Sequence, residues 1–200
     1  MSNTSAKVGG YQKSFKRHGI DPKALQWVSK DAAEVRYREL TADLDFEGRT
    51  ILDIGCGFAD IIPFIERVGN NFSYIGMDLM PEFIDAAQKK YPKHKFIVGD
   101  YFGNPLEDKH DITLTSGTLN SRIENAIEYR KNAIKLMFDN AGEVLAFNMA
   151  GGYPQPKSRK GGRVYFVDSL EILKYCISLT PKVIFRHHYR LKDFTVVMFK

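Results

Sequence analysis

Asp53-Ile54-Gly55-Cys56-Gly57-Phe58-Ala59-Asp60 is the stretch in which residue type and spacing could do chemistry. Two glycines directly after an apolar run let the backbone turn sharply and let a ligand approach closely. A helix following such a turn aims unpaired N–H groups at the same spot, which suits a carboxylate or phosphate. A second acid, Asp78, ends the next apolar run, well placed to accept two hydrogen bonds from ribose hydroxyls. A third, Asp100, ends the run after that and could accept from an exocyclic amine. Ser116 and Gly117 follow a fourth run, and Asn120 and Asn148 fall at the expected rim of the same site.

Two ligands compete for such a rim. A dinucleotide would prefer a third glycine where Asp60 stands, and an acid there repels a pyrophosphate. S-adenosylmethionine carries a sulfonium and an ammonium and so tolerates acids. The residues favour the second.

The elements that must position these groups alternate in type. Apolar runs at 51–54, 72–77, 96–98, 111–115 and 143–149 read as strands. Between them lie helical patterns: 60–68, a helix opened by Pro81, and a long helix for which Ser121 and Glu124 look like a capping box. An earlier helix spans 31–40 with Ser29 as its cap, and Asp168 with Glu171 caps a last one. The runs 182–189 and 193–199 are separated by only Arg190-Leu191-Lys192, which implies an antiparallel pair. The expected fold is α/β and Rossmann-like, a doubly wound, mostly parallel seven-stranded sheet with one antiparallel strand near the C-terminus. Ligands in such sheets bind beyond the carboxyl ends of the strands, where the acids and glycines above fall. Residues 1–40 read as an N-terminal helical lead-in or cap, and 41–200 as the ligand-binding domain of a chain with one domain overall.

The run Asp53-Ile-Gly-Cys-Gly, then Tyr74-Ile-Gly-Met-Asp78, then Val98-Gly-Asp100 resembles the class I S-adenosylmethionine-dependent methyltransferases. The resemblance covers roughly residues 30–200 in motif order. More narrowly, His18-Gly19, Ala24-Leu25-x-Trp27, the segment from Ser116 to Asn120 and Ala146-Phe147-Asn148 are similar to a group of small bacterial-type enzymes of unassigned substrate. The resemblance implies S-adenosylmethionine as cofactor and S-adenosylhomocysteine as product. It implies that Asp53, Gly55 and Gly57 line the methionine part, and that Asp78 holds the ribose with Leu79 against adenine. Asp100, with Tyr101 beside it, would hold the adenine amine, and Ser116 and Gly117 would face the methyl group. Arg36 is the candidate to pair with the cofactor carboxylate. His18, Asn120 and Asn148 are the candidate catalytic groups, with no dominant general base among them.

The 200 residues carry 29 Lys and Arg against 24 Asp and Glu, a net charge of +5, in an ordinary globular composition with 44% hydrophobic residues. Two cysteines, Cys56 and Cys176, exclude a disulfide framework and a four-cysteine zinc site. His187 and His188 are adjacent on a strand and so face opposite sides, which argues against a joint metal site. No metal is expected. No apolar signal core or bilayer-length run is visible, so the chain reads as soluble and cytoplasmic, with no membrane partner. The basic residues Lys157, Arg159, Lys160 and Arg163 fall in a glycine-rich loop at 150–163. They suit a lid that steers an anionic small-molecule acceptor, or a solvated loop. A nucleic-acid acceptor is the second reading, opposed by Ser116-Gly117-Thr118-Leu119, which is not the Asn/Asp-Pro-Pro-aromatic segment used on base amines. A non-catalytic cofactor-binding protein is the third. Oligomeric state is not encoded in any of these features.

Overall fold

Ile51, Leu52 and Ile54 are all 2% exposed or less, the signature of a strand covered on both faces. They belong to β1 (Arg49–Ile54) of a computed structural model that describes residues 3–158 and 161–200, with side chains from residue 8 onward. The architecture is α/β and Rossmann-like, with a mostly parallel arrangement and antiparallel strands towards the C-terminus. Two compact units divide the chain, Met1–Pro105 and Leu106–Lys200.

The first unit contains α1 (Asn3–His18), α2 (Lys30–Thr41), β1, α3 (Ile62–Ile65), β2 (Phe72–Asp78), α4 (Pro81–Lys90) and β3 (Lys95–Val98). Its strands lie in the order β3-β2-β1, all parallel, with Ile54 opposite Met77 and Asp78 opposite Val98. The Ser29 hydroxyl caps α2 by accepting from the Ala32 N–H at 3.1 Å. Pro81 opens α4, where its missing N–H costs nothing. The polar lead-in contains a full helix, α1. Val8, Tyr11 and Phe15, at helical spacing, pack on a cluster of Ala24, Phe58, Met80, Phe83 and Ala86. Phe58 and Phe83 are almost fully buried, and such burial contributes about 1.5–3 kcal/mol per side chain.

The expected helix at 60–68 is mostly turns around the four-residue α3. Gly57 at φ 55 and Ala59 at φ 56 keep the start of this stretch out of the helical region. The glycine turn is therefore followed by further turns and not by the N-terminus of the expected helix.

The second unit contains β4 (His110–Ser116), α5 (Ala126–Asn140), β5 (Ala141–Gly152), β6 (Val167–Asp168), α6 (Ser169–Leu179), β7 (Val183–Arg190) and β8 (Asp193–Phe199). Its order is β4-β5-β8-β7, with β6 beside β5. β4 and β5 are parallel, and β8 runs against both β5 and β7. The two-residue β6 is the strand that the apolar pattern does not reveal. The expected capping box also fails. Ser121 bridges Val164, and α5 begins at Ala126 after Asn125, whose side chain caps nothing. Asp168 does cap α6, accepting from the Leu170 and Glu171 N–H groups.

The fully buried Arg130 of α5 donates to the carbonyls of Ala126 at 2.8 Å and Ser121 at 3.1 Å, with Tyr165 at 3.5 Å. Its Nε has no partner among the described residues, and burial lowers its pKa to about 10. Arg122 donates to Gly162, and the Tyr165 N–H reaches the Asn120 carbonyl. The segment after β5 is thus tied at its far end to the segment after β4. Of the basic residues expected there, Lys157 and Arg163 are described, and Arg159 and Lys160 lie outside the described residues.

Candidate functional site

The turn after β1 is held to the end of β2 by its own backbone. The Gly55 and Cys56 N–H groups both donate to the Met77 carbonyl, at 2.7 and 3.1 Å. Gly55 adopts φ 73, which favours glycine. Asp78 fastens the next residue: its Oδ2 accepts from the Gly57 N–H at 2.9 Å, and its Oδ1 from the Met80 N–H at 3.0 Å. The Leu79 N–H adds a third backbone donor that favours the charged carboxylate. Burial still pushes the Asp78 pKa up, against the lowering effect of these backbone donors.

Gly57 has a further constraint, since a Cβ there would stand 2.9 Å from Leu25 Cδ2. The segment after α1 therefore lies directly on the turn. Cys56 is buried, with its sulfur 2.8 Å from where a Cβ of Gly76 would sit. Burial raises its thiol well above the usual range, so it serves as packing and not as a nucleophile.

Asp53 is 4% exposed, and its Oδ2 accepts a 2.7 Å hydrogen bond from the Tyr74 hydroxyl. Burial pushes its pKa up to about 7, and the Asp78 charge adds to the rise, while the Tyr74 bond opposes it. Sequence reading passed over Tyr74. Its signal was register: with Asp53 opposite Gly76, Tyr74 falls opposite Ile51, two residues back on each strand. The raised pKa has a consequence for stability. Asp53 contributes most below the ordinary carboxylate range, and that contribution is lost as pH rises through about 7. Chemical denaturation at pH 5 and pH 7 should show the wild type losing up to about 1.4 kcal/mol per pH unit more than Asp53→Asn.

Asp100 follows β3, and its Oδ1 accepts from the Phe102 N–H at 3.2 Å. Tyr101 is buried with its ring edge-on to Phe102, and Leu79 is half-buried. Arg36, buried on α2, lies over the Trp27 ring at 4.7 Å and donates to the Ala32 carbonyl. His18 is exposed at the end of α1. Asp53, Gly55, Gly57, Asp78 and Asp100 thus gather at the carboxyl ends of three adjacent parallel strands.

In the second unit, the Asn148 Nδ2 donates to Ser116 Oγ at 3.1 Å, linking the ends of β4 and β5. Asn120 Oδ1 accepts from the Ala150 N–H at 2.7 Å, and Gly117 turns the chain at φ 73. Among the described residues no cluster of three or more metal-ligating side chains exists, and no helix is long and apolar enough to cross a membrane.

The donor set of the first unit fits S-adenosylmethionine. Its acids are acceptors, suited to ribose hydroxyls, an amine and a cation. The mutual repulsion of Asp53 and Asp78 would be relieved by a positive ligand and worsened by a pyrophosphate.

A methyltransferase-domain family model matches residues 51–139. A Mycobacterium tuberculosis protein described as "Putative methyltransferase Rv1506c" is 22% identical over 76% of this chain and 93% of its own length. The ubiquinone biosynthesis O-methyltransferase of Cereibacter sphaeroides is 32% identical over 45% of this chain. The aligned stretch takes in only 35% of that relative. The magnesium protoporphyrin IX methyltransferase of Synechocystis PCC 6803, solved with bound S-adenosylmethionine, shares the fold at a TM-score of 0.68. It is 17% identical, with 99% of this chain and 98% of that one covered. In matched domain, fold and motif order the chain is similar to the S-adenosylmethionine-dependent methyltransferases, which supports S-adenosylmethionine as its cofactor and S-adenosylhomocysteine as its product.

Proposed function

We propose that the chain methylates a small anionic acceptor. The observation that carries this reading is where the charge lies. Residues 153–200 hold ten Lys and Arg against three Asp and Glu, whereas the first 152 hold 19 against 21. The entire positive surplus belongs to the last strands, α6 and the loop after β5. Such a concentration raises the local population of anions and speeds their arrival. Several of these cations, Lys157, Arg163, Arg190 and Lys192, lie in the loop after β5 or around the β7–β8 turn. Asp193 offsets one of them, Arg190, at 2.8 Å.

The bound cofactor supplies an electrophilic methyl group on a sulfonium. The role of this chain is to hold and orient. Asp78 takes the two ribose hydroxyls, Leu79 and Tyr101 flank the adenine, and Asp100 accepts from its amine. Asp53 and the Gly55–Gly57 turn line the methionine part, and Arg36 pairs with its carboxylate. Within the second unit, Ser116, Gly117, Asn120 and Asn148 form a polar rim at the ends of β4 and β5. Orientation of this kind supplies most of the rate in a displacement that needs little proton transfer. Residues 1–40 act as a cap over the cofactor turn, a role supported by the Leu25–Gly57 and Phe15–Phe58 contacts. The chain works in the cytoplasm.

A nucleic-acid acceptor would also be drawn by the basic end of the chain. The two are separated by incubating the enzyme with methyl-labelled cofactor and with metabolite and nucleic-acid fractions of a cell extract. Label in small molecules retained on an anion exchanger is the expected outcome. Label in RNA or DNA, with binding that weakens steeply with salt, would replace this reading by the second. Cofactor binding with no label in any fraction would leave a non-catalytic binding protein.

A further inference from the structure

The outer side of α1 is basic. Val8, Tyr11 and Phe15 turn one face of the helix onto the buried cluster, which sends Lys13, Lys16 and Arg17 outward, and all three are exposed. The chain then doubles back along the helix. The Ser14 hydroxyl donates to the Lys23 carbonyl at 2.9 Å, and a Cβ on Gly10 would stand 3.8 Å from Gln26 Nε2. Residues 20–28 therefore lie beside α1, and they add the exposed Lys23 alongside it.

Residues 8–28 hold these four cations and one acid, Asp21. That carboxylate is turned onto the Lys23 backbone N–H at 2.8 Å, and among the described residues none of the four cations has an ion-pair partner. The returning segment also exposes an aliphatic side chain at each end, Ile20 at 68% and Val28 at 84%. Its rings and those of the helix are withheld. Tyr11 and Phe15 face the cluster, and Trp27 lies edge-on to Tyr37 beneath the Arg36 guanidinium.

Exposed cations flanked by exposed aliphatics fit one kind of partner. A single-stranded nucleic acid is held by base stacking as well as by charge, and residues 8–28 offer it no free ring. An anionic bilayer takes both features, since its headgroups attract the cations and the headgroup–acyl boundary receives apolar side chains. We propose that this face of the first unit seats the chain on an anionic lipid surface, with Lys13, Lys16, Arg17 and Lys23 against the headgroups and Ile20 and Val28 entering the boundary. The expectation of no membrane partner came from the lack of a bilayer-length apolar run, and among the described residues no helix is long and apolar enough to cross a membrane. The contact here is peripheral and needs no such helix. It does not depend on the identity of the methyl acceptor.

Sedimentation of the full chain with lipid vesicles tests this. Vesicles of mixed phosphatidylglycerol and phosphatidylcholine should carry the protein down at low salt, and vesicles of phosphatidylcholine alone should not. Each Lys or Arg near such a surface strengthens partition about fivefold, so Lys13→Glu with Arg17→Glu should weaken it at least about 25-fold. Ile20→Ser with Val28→Ser should weaken it about tenfold. All four positions are exposed, so both variants should fold. Without any substitution, wild-type binding should fade as salt approaches about 1 M, where the screening length falls to about 3 Å. Wild type that stays in solution with the anionic vesicles overturns the inference, and so does equal capture by phosphatidylcholine alone. Binding unchanged by the Lys13 and Arg17 substitutions overturns this face as the source and moves the contact to the basic end of the second unit. Binding that the aliphatic pair leaves unchanged removes the lipid assignment, and single-stranded RNA that then displaces the vesicles assigns the face to a nucleic acid instead.

Discussion

Asp78→Ala should weaken S-adenosylmethionine binding by at least about 100-fold in calorimetry, since hydrogen bonds to a charged group contribute about 1.5–3 kcal/mol each and two are removed. The loss has a second source. Asp78 clasps the Gly57 and Met80 N–H groups, so alanine also frees the turn after β1. Asp78→Asn separates the two. An amide oxygen can still accept from one of the two N–H groups, so the turn stays partly ordered, while the charge and one acceptor oxygen are gone. Its affinity should fall between wild type and alanine. Unchanged affinity in Asp78→Ala would remove Asp78 from the site.

Phe58→Ala should carry the largest cost to stability, about 3–5 kcal/mol, the range for emptying a buried phenylalanine site. For a chain of this length that corresponds to a fall in Tm of about 10 °C. Phe58 stacks edge-on with Phe83 at 5.0 Å and meets Phe15 of α1 at 6.2 Å. It is therefore the residue through which the turn after β1 meets the N-terminal helix. Proteolysis within residues 3–18 should accelerate more than cleavage elsewhere in the chain. Equal acceleration everywhere would show that the helix does not depend on this contact.

What the sequence revealed and what it concealed follow from how far each signal reaches. β1 was legible because burial on both faces writes an apolar run, Ile51, Leu52 and Ile54, interrupted by Asp53 alone. The acids at the strand ends were legible for the same reason: each interrupts or closes such a run. The helix α1 was obscured by Gly9, Gly10 and its polar composition. Its support is tertiary, three side chains at 8, 11 and 15 meeting Phe58 and Phe83 far along the chain. The Ser121–Glu124 pair misled because Ser121 found a partner 43 residues away in Val164, which a local capping rule does not include. The roles of Asn120 and Tyr74 were hidden in the same way. Asn120 meets the Ala150 backbone and Tyr74 meets Asp53, both contacts between separate strands or loops.

The guanidinium of Arg130 gives the second unit a particular kind of tether. It grips main-chain oxygens from α5, from the segment after β4 and from the segment after β5, and it also lies over the Tyr165 ring at 5.2 Å. Exchange of Ser121 leaves its part of the clasp intact, because every residue type offers the same carbonyl. The segment after β5 can therefore vary in composition while its main-chain anchorage stays fixed.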